Sequence, residues 1–158
     1  MSDGNVIDLQ IARASTHYSI RIKKTIDLAM AWRMDHILVA LSLSRGLPLS
    51  YVQRVERELK RFLVLRTILP NRDHGVSWPV DELWHMFLTY TRDYAMFCSS
   101  IGAGFIHHDP APSSGVDLIS SMAKYCNTML DYKKIFGESA PDEIWKIEIY
   151  HVGGVSCS

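Results

Sequence analysis

Apolar residues recur through this sequence at a spacing that strongly restricts its fold. From about residue 16 onward, apolar side chains recur mostly at helical intervals of three or four residues. No stretch alternates convincingly with the period of two that a half-buried strand requires. Residues 51–69 are the clearest case, with one apolar face and one charged face. The pattern predicts an all-α fold.

Glycine and proline residues divide this pattern into about five or six helices. The periodic stretch over residues 16–45 is long for one globular helix, so a break is expected near Arg33–Asp35. Gly46 ends the stretch, Pro48 can open the next helix, and Pro70 stops that helix. The later helices are expected at about residues 79–101, 116–136 and 141–149.

The length of 158 residues is that of one ordinary domain, and an apolar fraction of 47% is enough to form its core. Residues 16–150 are predicted to form a single helical domain with a histidine-rich motif at residues 74–108. Residues 1–15 are predicted to be a partly flexible N-terminal segment. The Gly/Ser-rich residues 151–158 are predicted to be a flexible tail.

The charge balance argues against a strongly electrostatic partner. Seventeen basic residues match seventeen acidic ones, and this balance does not favour nucleic acid as a ligand. The helix predicted over residues 51–69 carries five basic residues: Arg54, Arg57, Lys60, Arg61 and Arg66. Glu56 and Glu58 interrupt this series, so the pattern favours a solvated helix face over a nucleic-acid-binding patch. No apolar run approaches the length of a membrane span, and the N-terminus does not resemble a secretion signal. We therefore expect a cytoplasmic protein with no membrane partner.

Four of the seven histidines fall between His74 and His108. On a helix, Asp81 lies four residues before His85 and Glu82 lies three residues before it, so these side chains can share one side of the helix. Carboxylate and imidazole groups at this spacing are familiar metal ligands. One such pair supplies too few ligands for a complete site.

A return of the chain can supply the missing ligand. The helix advances roughly 22 Å from His85 to about residue 100 at 1.5 Å per residue. An extended segment over residues 101–108 can reach back about 26 Å at 3.3 Å per residue. A reversal at Gly102–Gly104 would bring His107 or His108 alongside His85. Adjacent residues of an extended segment point to opposite sides, so only one of the two is expected to face the helix.

These residues predict a metal site formed by Asp81, His85 and one of His107 and His108, with water completing the coordination. Zinc, iron or manganese would suit such ligands. Three protein ligands and an open position are typical of catalytic sites. Glu82 or Tyr90 could then act in proton transfer near a metal-bound water. The substrate is not readable from the sequence, and whether the protein is an enzyme is left open.

A structural interpretation explains the same residues without a metal. Asp81 and Glu82 can stabilise the helix start, and His85 can be a core histidine hydrogen-bonded to Asp81. The chain would then be a non-catalytic adaptor or regulator that binds a protein partner or a second copy of itself. Its four tryptophans and seven methionines would suit an interface, although a helical domain of this size also needs them in its core.

The sequence Val80-Asp81-Glu82-Leu83-Trp84-His85, followed by Tyr94, Phe97-Cys98 and Phe105-Ile106-His107-His108, resembles the glycine-rich domain-containing protein-like family of plant and small bacterial proteins. The resemblance covers about residues 77–110 and is greatest to the bacterial members. This chain lacks the glycine-rich C-terminal region of the plant proteins, so their suggested roles in stress responses or RNA binding are not transferred. The resemblance implies no activity, but it implies that one constellation unites Asp81, Trp84, His85, His107 and His108.

Overall fold

A computed structural model describes the backbone of residues 3–108 and 118–146, and the side chains of residues 16–108 and 120–146. These residues form helices and no strands, which confirms the all-α prediction. The helices are α1 (Asp3–Ala31), α2 (Asp35–Arg45), α3 (Leu49–Ile68), α4 (Trp78–Thr89), α5 (Thr91–Ser100), α6 (Leu118–Phe136) and α7 (Asp142–Trp145). No helix within the described ranges is long and apolar enough to cross a membrane.

The described residues thus contain seven helices rather than five or six. The expected break near Arg33–Asp35 is present, because α1 ends at Ala31 and α2 begins at Asp35. The single helix expected over residues 79–101 is instead two, α4 and α5, separated at Tyr90. Tyr90 has φ −89° and ψ 63°, which lies outside the helical region, and its ring packs edge-on against the His36 ring.

The domain boundaries remain predictions. α1 already begins at Asp3, so the boundary placed after residue 15 falls inside a helix. The predicted tail at residues 151–158 lies outside the described residues.

Helix α3 is the centre of the fold and packs against α1, α2, α4 and α6. Its apolar face is fully buried; the buried apolar side chains are Val52, Val55, Leu59, Phe62, Leu63, Val64 and Leu65. The Phe62 ring packs edge-on against the Trp84 ring of α4, with the ring centroids 5.4 Å apart. This contact fixes one side of α4 in the core and leaves its other side toward solvent.

The prediction of a solvated face is wrong for two charged residues of α3. Glu58 is completely buried and Lys60 is only 5% exposed. Glu58 accepts hydrogen bonds from the Tyr132 hydroxyl and the Trp145 indole, both at 2.8 Å. Lys60 pairs with Glu56 at 2.7 Å and donates to the Trp32 carbonyl at 2.6 Å, just beyond the end of α1. These partners offset part of the cost of burying the two charges, although both hydrogen bonds to Glu58 end on Oε2 and its Oε1 accepts none from the described residues.

Candidate metal centre

Helix α4 starts in a way that brings Asp81 and His85 onto one exposed side. Ser77 occupies the N-cap position, and Pro79 follows within the first turn, where its missing N–H costs nothing. The Asp81 N–H donates to the Ser77 carbonyl at 2.9 Å, which closes the first turn. Leu83, Trp84 and Phe87 face the core. Because Asp81 and His85 are four residues apart, their side chains lie one turn above each other.

The chain reverses after α5 and runs back along α4. Gly102 adopts φ +76°, a left-handed conformation that favours glycine, and the Ala103 N–H donates to the Cys98 carbonyl at 2.9 Å. Residues 103–108 have no regular secondary structure. Ile106 is buried and His108 is partly buried, whereas Phe105 and His107 are exposed. Residues 103–108 are called the return segment, and over residues 105–108 alternate side chains face the protein.

Asp81, His85 and His108 form one cluster. One potential ligand atom from each of the three residues lies within 4.8 Å of the others. His108 Nε2 is 2.7 Å from Asp81 Oδ1, and His85 Nδ1 is 3.3 Å from Asp81 Oδ2. His85 Nδ1 is also 2.9 Å from the backbone carbonyl oxygen of Asp81. The ring centroids of the two histidines are 4.3 Å apart.

Burial decreases steadily across this cluster. The side chain of His108 is 11% exposed, that of Asp81 is 23% exposed and that of His85 is 54% exposed. The Trp84 ring lies edge-on against the His108 ring with the centroids 4.5 Å apart, so His108 has little freedom to rotate. The cluster therefore has a fixed inner side at His108 and an open outer side at His85.

A buried hydrogen-bond chain attaches the return segment to both helices. The Trp84 indole N–H donates to the Tyr94 hydroxyl at 3.0 Å, and that hydroxyl donates to the Ile106 carbonyl at 2.6 Å. Burial raises the pKa of Tyr94 above its ordinary value, so the phenol keeps its proton and remains a donor. These two hydrogen bonds fix the position of Ile106, which lies two residues before His108 in the return segment.

The other candidate residues lie outside the cluster. His107 is exposed, and its ring contacts the Phe105 ring with centroids 5.0 Å apart. Glu82 pairs with Arg45 at 2.7 Å and borders a shallow groove between α2, α3 and α4. The Tyr90 ring packs against His36 rather than against any of the three clustered side chains. The structure therefore joins Asp81 and His85 with His108, and does not bring His107, Glu82 or Tyr90 into that group.

The fourth histidine of the motif serves a different part of the fold. His74 Nε2 is 2.9 Å from Asp131 Oδ2, so the histidine helps to attach the loop before α4 to α6. Desolvation lowers the pKa of His74, and the nearby Asp131 carboxylate only partly opposes this effect. His74 is therefore predominantly neutral at neutral pH and contributes to packing rather than to the cluster.

Sequence reasoning missed the role of Tyr94. In the sequence, Tyr94 was noted among the residues that carry the family resemblance, and no role was assigned to it. A buried tyrosine needs a partner for its hydroxyl, but the sequence does not indicate which one. The neighbouring Cys98 thiol is buried as well, and desolvation raises its pKa, so it is an inert thiol rather than a metal ligand.

Comparison with known families corrects the expected relationship. A family model described as UCP032817-like matches residues 40–117, a range that includes α4, α5 and the return segment. The resemblance to the glycine-rich domain-containing protein-like family was therefore wrong, because a different family matches the motif. The matching description names no activity or ligand. No curated protein and no solved structure matches the chain.

Proposed function

We propose that this small helical protein binds a divalent transition metal through Asp81, His85 and His108. The observation that carries the proposal is the convergence of one carboxylate and two imidazoles, with their ligand atoms within 4.8 Å of one another. These residues come from two separate segments, so their meeting is not a consequence of helical spacing alone. Oxygen and nitrogen donors in this ratio suit zinc, iron or manganese.

The hydrogen bonds of the cluster hold both histidine rings close to the Asp81 carboxylate. His85 Nδ1 lies 2.9 Å from the Asp81 carbonyl oxygen and 3.3 Å from the Asp81 carboxylate, so the backbone of α4 helps to hold the His85 ring beside that carboxylate. His108 Nε2 already lies beside the Asp81 carboxylate. An ion would replace the proton that these two groups share. His85 is exposed enough to turn toward that ion, whereas His108 is already packed in place by Trp84.

Three protein ligands are fewer than these metals take, so water would complete the coordination. Zinc held by these residues would supply a water with a pKa of about 7, which is suited to hydrolysis or hydration chemistry. We assign no proton-transfer role to Glu82 or Tyr90, because Glu82 is paired with Arg45 and Tyr90 packs against His36. Metal binding is thus the proposed function, and a hydrolytic reaction is the chemistry that it would permit.

One observation favours the competing structural interpretation. The His108–Asp81 contact at 2.7 Å is already a good charge-assisted hydrogen bond, and it links the return segment to α4 without a metal. Under this interpretation the protein is a non-catalytic adaptor, and the cluster stabilises its fold. Loss of His108 would then lower the free energy of unfolding and would change no metal content.

The test is the metal content of untagged protein, measured by mass spectrometry on the wild type and on single-residue variants. We expect near-stoichiometric zinc, iron or manganese in the wild type and its loss in His85→Ala and His108→Ala. His107→Ala is the matched control, because it removes the neighbouring exposed imidazole. His36→Ala is a second control, because His36 lies outside the cluster and its Nε2 atom is 2.8 Å from Asp93 Oδ2.

Far-UV circular dichroism of each variant separates loss of ligand from loss of fold. The proposal requires that His85→Ala remain helical while it loses the metal. A folded wild type that contains no metal and gains no thermal stability from added zinc, manganese or ferrous iron would overturn the proposal and support the structural interpretation.

A further inference from the structure

We propose that Tyr94 is the positioning residue of this site, which sets metal affinity by holding the return segment at the place where His108 can coordinate. The inference rests on the proposed metal site and adds to it a residue that does not touch the metal. Tyr94 lies on α5, is fully buried and belongs to neither of the segments that carry the ligands.

The hydroxyl of Tyr94 joins all three elements around the cluster. It accepts a hydrogen bond from Trp84 of α4 at 3.0 Å and donates one to the Ile106 carbonyl of the return segment at 2.6 Å. Trp84 immediately precedes His85, and Ile106 is two residues before His108. One hydroxyl group therefore links the two segments that supply the histidines.

The return segment depends on such side-chain contacts because no strand partner is present among the described residues. An extended segment outside a sheet has unpaired backbone groups, and the Ile106 carbonyl is satisfied by Tyr94 in a buried position. The Tyr94 ring also packs edge-on against Phe105, with centroids 5.1 Å apart. Removal of the hydroxyl would leave the Ile106 carbonyl and the Trp84 indole N–H without this partner, and the segment would gain freedom to move.

This arrangement has the form of a supporting contact in a metal site. Ligand orientation, rather than ligand identity, determines how closely three donor atoms can approach one ion. Contacts outside the ligand set that orient the ligands are typically worth about 10- to 100-fold in metal affinity. Tyr94 orients a ligand through the backbone, whereas the Trp84 ring orients it by direct contact with the His108 ring.

Tyr94→Phe tests the inference because it removes only the hydroxyl. The phenylalanine ring can keep the contacts that Tyr94 makes with Phe87 and Phe105, at centroid distances of 5.1 Å each. We expect the zinc dissociation constant, measured by competition with a chromophoric chelator, to rise about 10-fold or more relative to wild type. Zinc alone is the probe.

Tyr132→Phe is the matched control. Tyr132 is also fully buried, and its hydroxyl donates to Glu58 at 2.8 Å, in a network that joins α3 and α6 rather than the cluster. This variant should lose stability and keep the zinc affinity of the wild type. A purely structural role for Tyr94 predicts instead that both variants lose stability and neither changes in affinity.

The outcomes separate this inference from the proposed function. Wild-type zinc affinity in Tyr94→Phe would overturn the positioning role and leave the metal site intact. A wild type that binds none of zinc, manganese and ferrous iron would overturn both the positioning role and the proposed metal site. If Tyr94→Phe does not fold, 4-fluorophenylalanine is placed at position 94 instead, because the fluorine fills the space of the hydroxyl but cannot donate to the Ile106 carbonyl. Unchanged zinc affinity in that protein would then overturn the inference.

Discussion

Asp81 Oδ1 and His108 Nε2 lie 2.7 Å apart although 27 residues separate them in the chain. The contact closes a loop that contains the rest of α4, all of α5 and the reversal at Gly102. It forms at the N-terminal end of α4, where the helix dipole favours the negative charge of Asp81. A partner for this carboxylate thus comes from the far end of the loop, and the pair forms the inner side of the candidate metal centre.

Asp81→Asn should abolish tight zinc binding while preserving the fold. The amide keeps the size of the carboxylate and can still hydrogen-bond to His108, but it lacks the negative charge that the cation requires. Loss of a contact that only orients a ligand lowers metal affinity by about 10- to 100-fold. We expect zinc affinity to fall further in Asp81→Asn, because this variant loses a ligand charge. A zinc titration of the metal-free variant measures the loss. Affinity equal to that of the wild type would exclude Asp81 as a ligand.

Zinc should stabilise the wild type in proportion to its binding. A ligand that binds only the folded state at 100 times its dissociation constant adds about 2.7 kcal/mol to the free energy of unfolding. Urea unfolding with and without zinc measures this gain, which should vanish in His108→Ala and persist in His107→Ala. Equal stabilisation of all three proteins would indicate zinc binding elsewhere on the chain.

Gly75→Ala should destabilise the protein because the backbone of α6 passes too close for a side chain. A Cβ atom at Gly75 would lie 2.8 Å from the Tyr125 backbone nitrogen, and backbone atoms cannot rotate away. The Gly75 N–H and carbonyl also bind Lys124 and Thr128, so the loop and α6 would have to separate. We expect a loss of about 1–3 kcal/mol in chemical denaturation.

Gly104→Ala is the control for this prediction, because a Cβ atom there would meet nothing within 4 Å. Its free energy of unfolding should stay within about 0.5 kcal/mol of wild type, as is usual for surface substitutions. Equal losses in the two variants would show that the close approach of Gly75 to α6 is not the cause.

His74 should make the protein less stable as the pH falls. Desolvation lowers the pKa of the folded-state imidazole, and the nearby cations Arg66 and Arg72 act in the same direction, whereas Asp131 opposes them. The unfolded chain therefore takes up a proton near pH 6.5, before folded His74 does. Between these two pKa values the free energy of unfolding falls with falling pH, by at most about 1.4 kcal/mol per pH unit.

Urea unfolding of the wild type and of His74→Gln at about pH 7.5 and about pH 5.5 checks this sign. The glutamine can still donate to Asp131 but does not titrate. The variant should therefore lose less stability on acidification than the wild type. Parallel pH dependence in the two proteins would show that His74 is not responsible.

Local sequence patterns predicted the helix ends correctly where a glycine or a proline marks them. Gly46 ends α2 in the left-handed conformation, with φ +63°, and Pro48 occupies the N-cap of α3. The division at Tyr90 carries no glycine or proline, so the sequence offered no signal for it. Tyr90 departs from helical geometry where its ring packs against His36 of α2, and that contact exists only in the folded protein.

Charge patterns were a poor guide to burial. Glu58 and Lys60 lie among charged residues that favour a solvated face, yet both are buried. Glu58 is covered by Tyr132 of α6 and Trp145 of α7, which are more than seventy residues away in the chain. A carboxylate can be buried when hydrogen-bond donors from distant parts of the chain contact it, and the sequence around Glu58 does not indicate those donors.

A helical fold, with Asp81 and His85 on one side of α4, could be predicted from the sequence, because helical periodicity is a local property of the backbone. The sequence also predicted that only one of His107 and His108 faces that helix, because adjacent residues of an extended segment point in opposite directions. That this residue is His108 follows only from contacts in the folded protein. The buried hydroxyl of Tyr94 and the burial of Ile106 fix the phase of the return segment, and both depend on contacts between elements that no local pattern specifies.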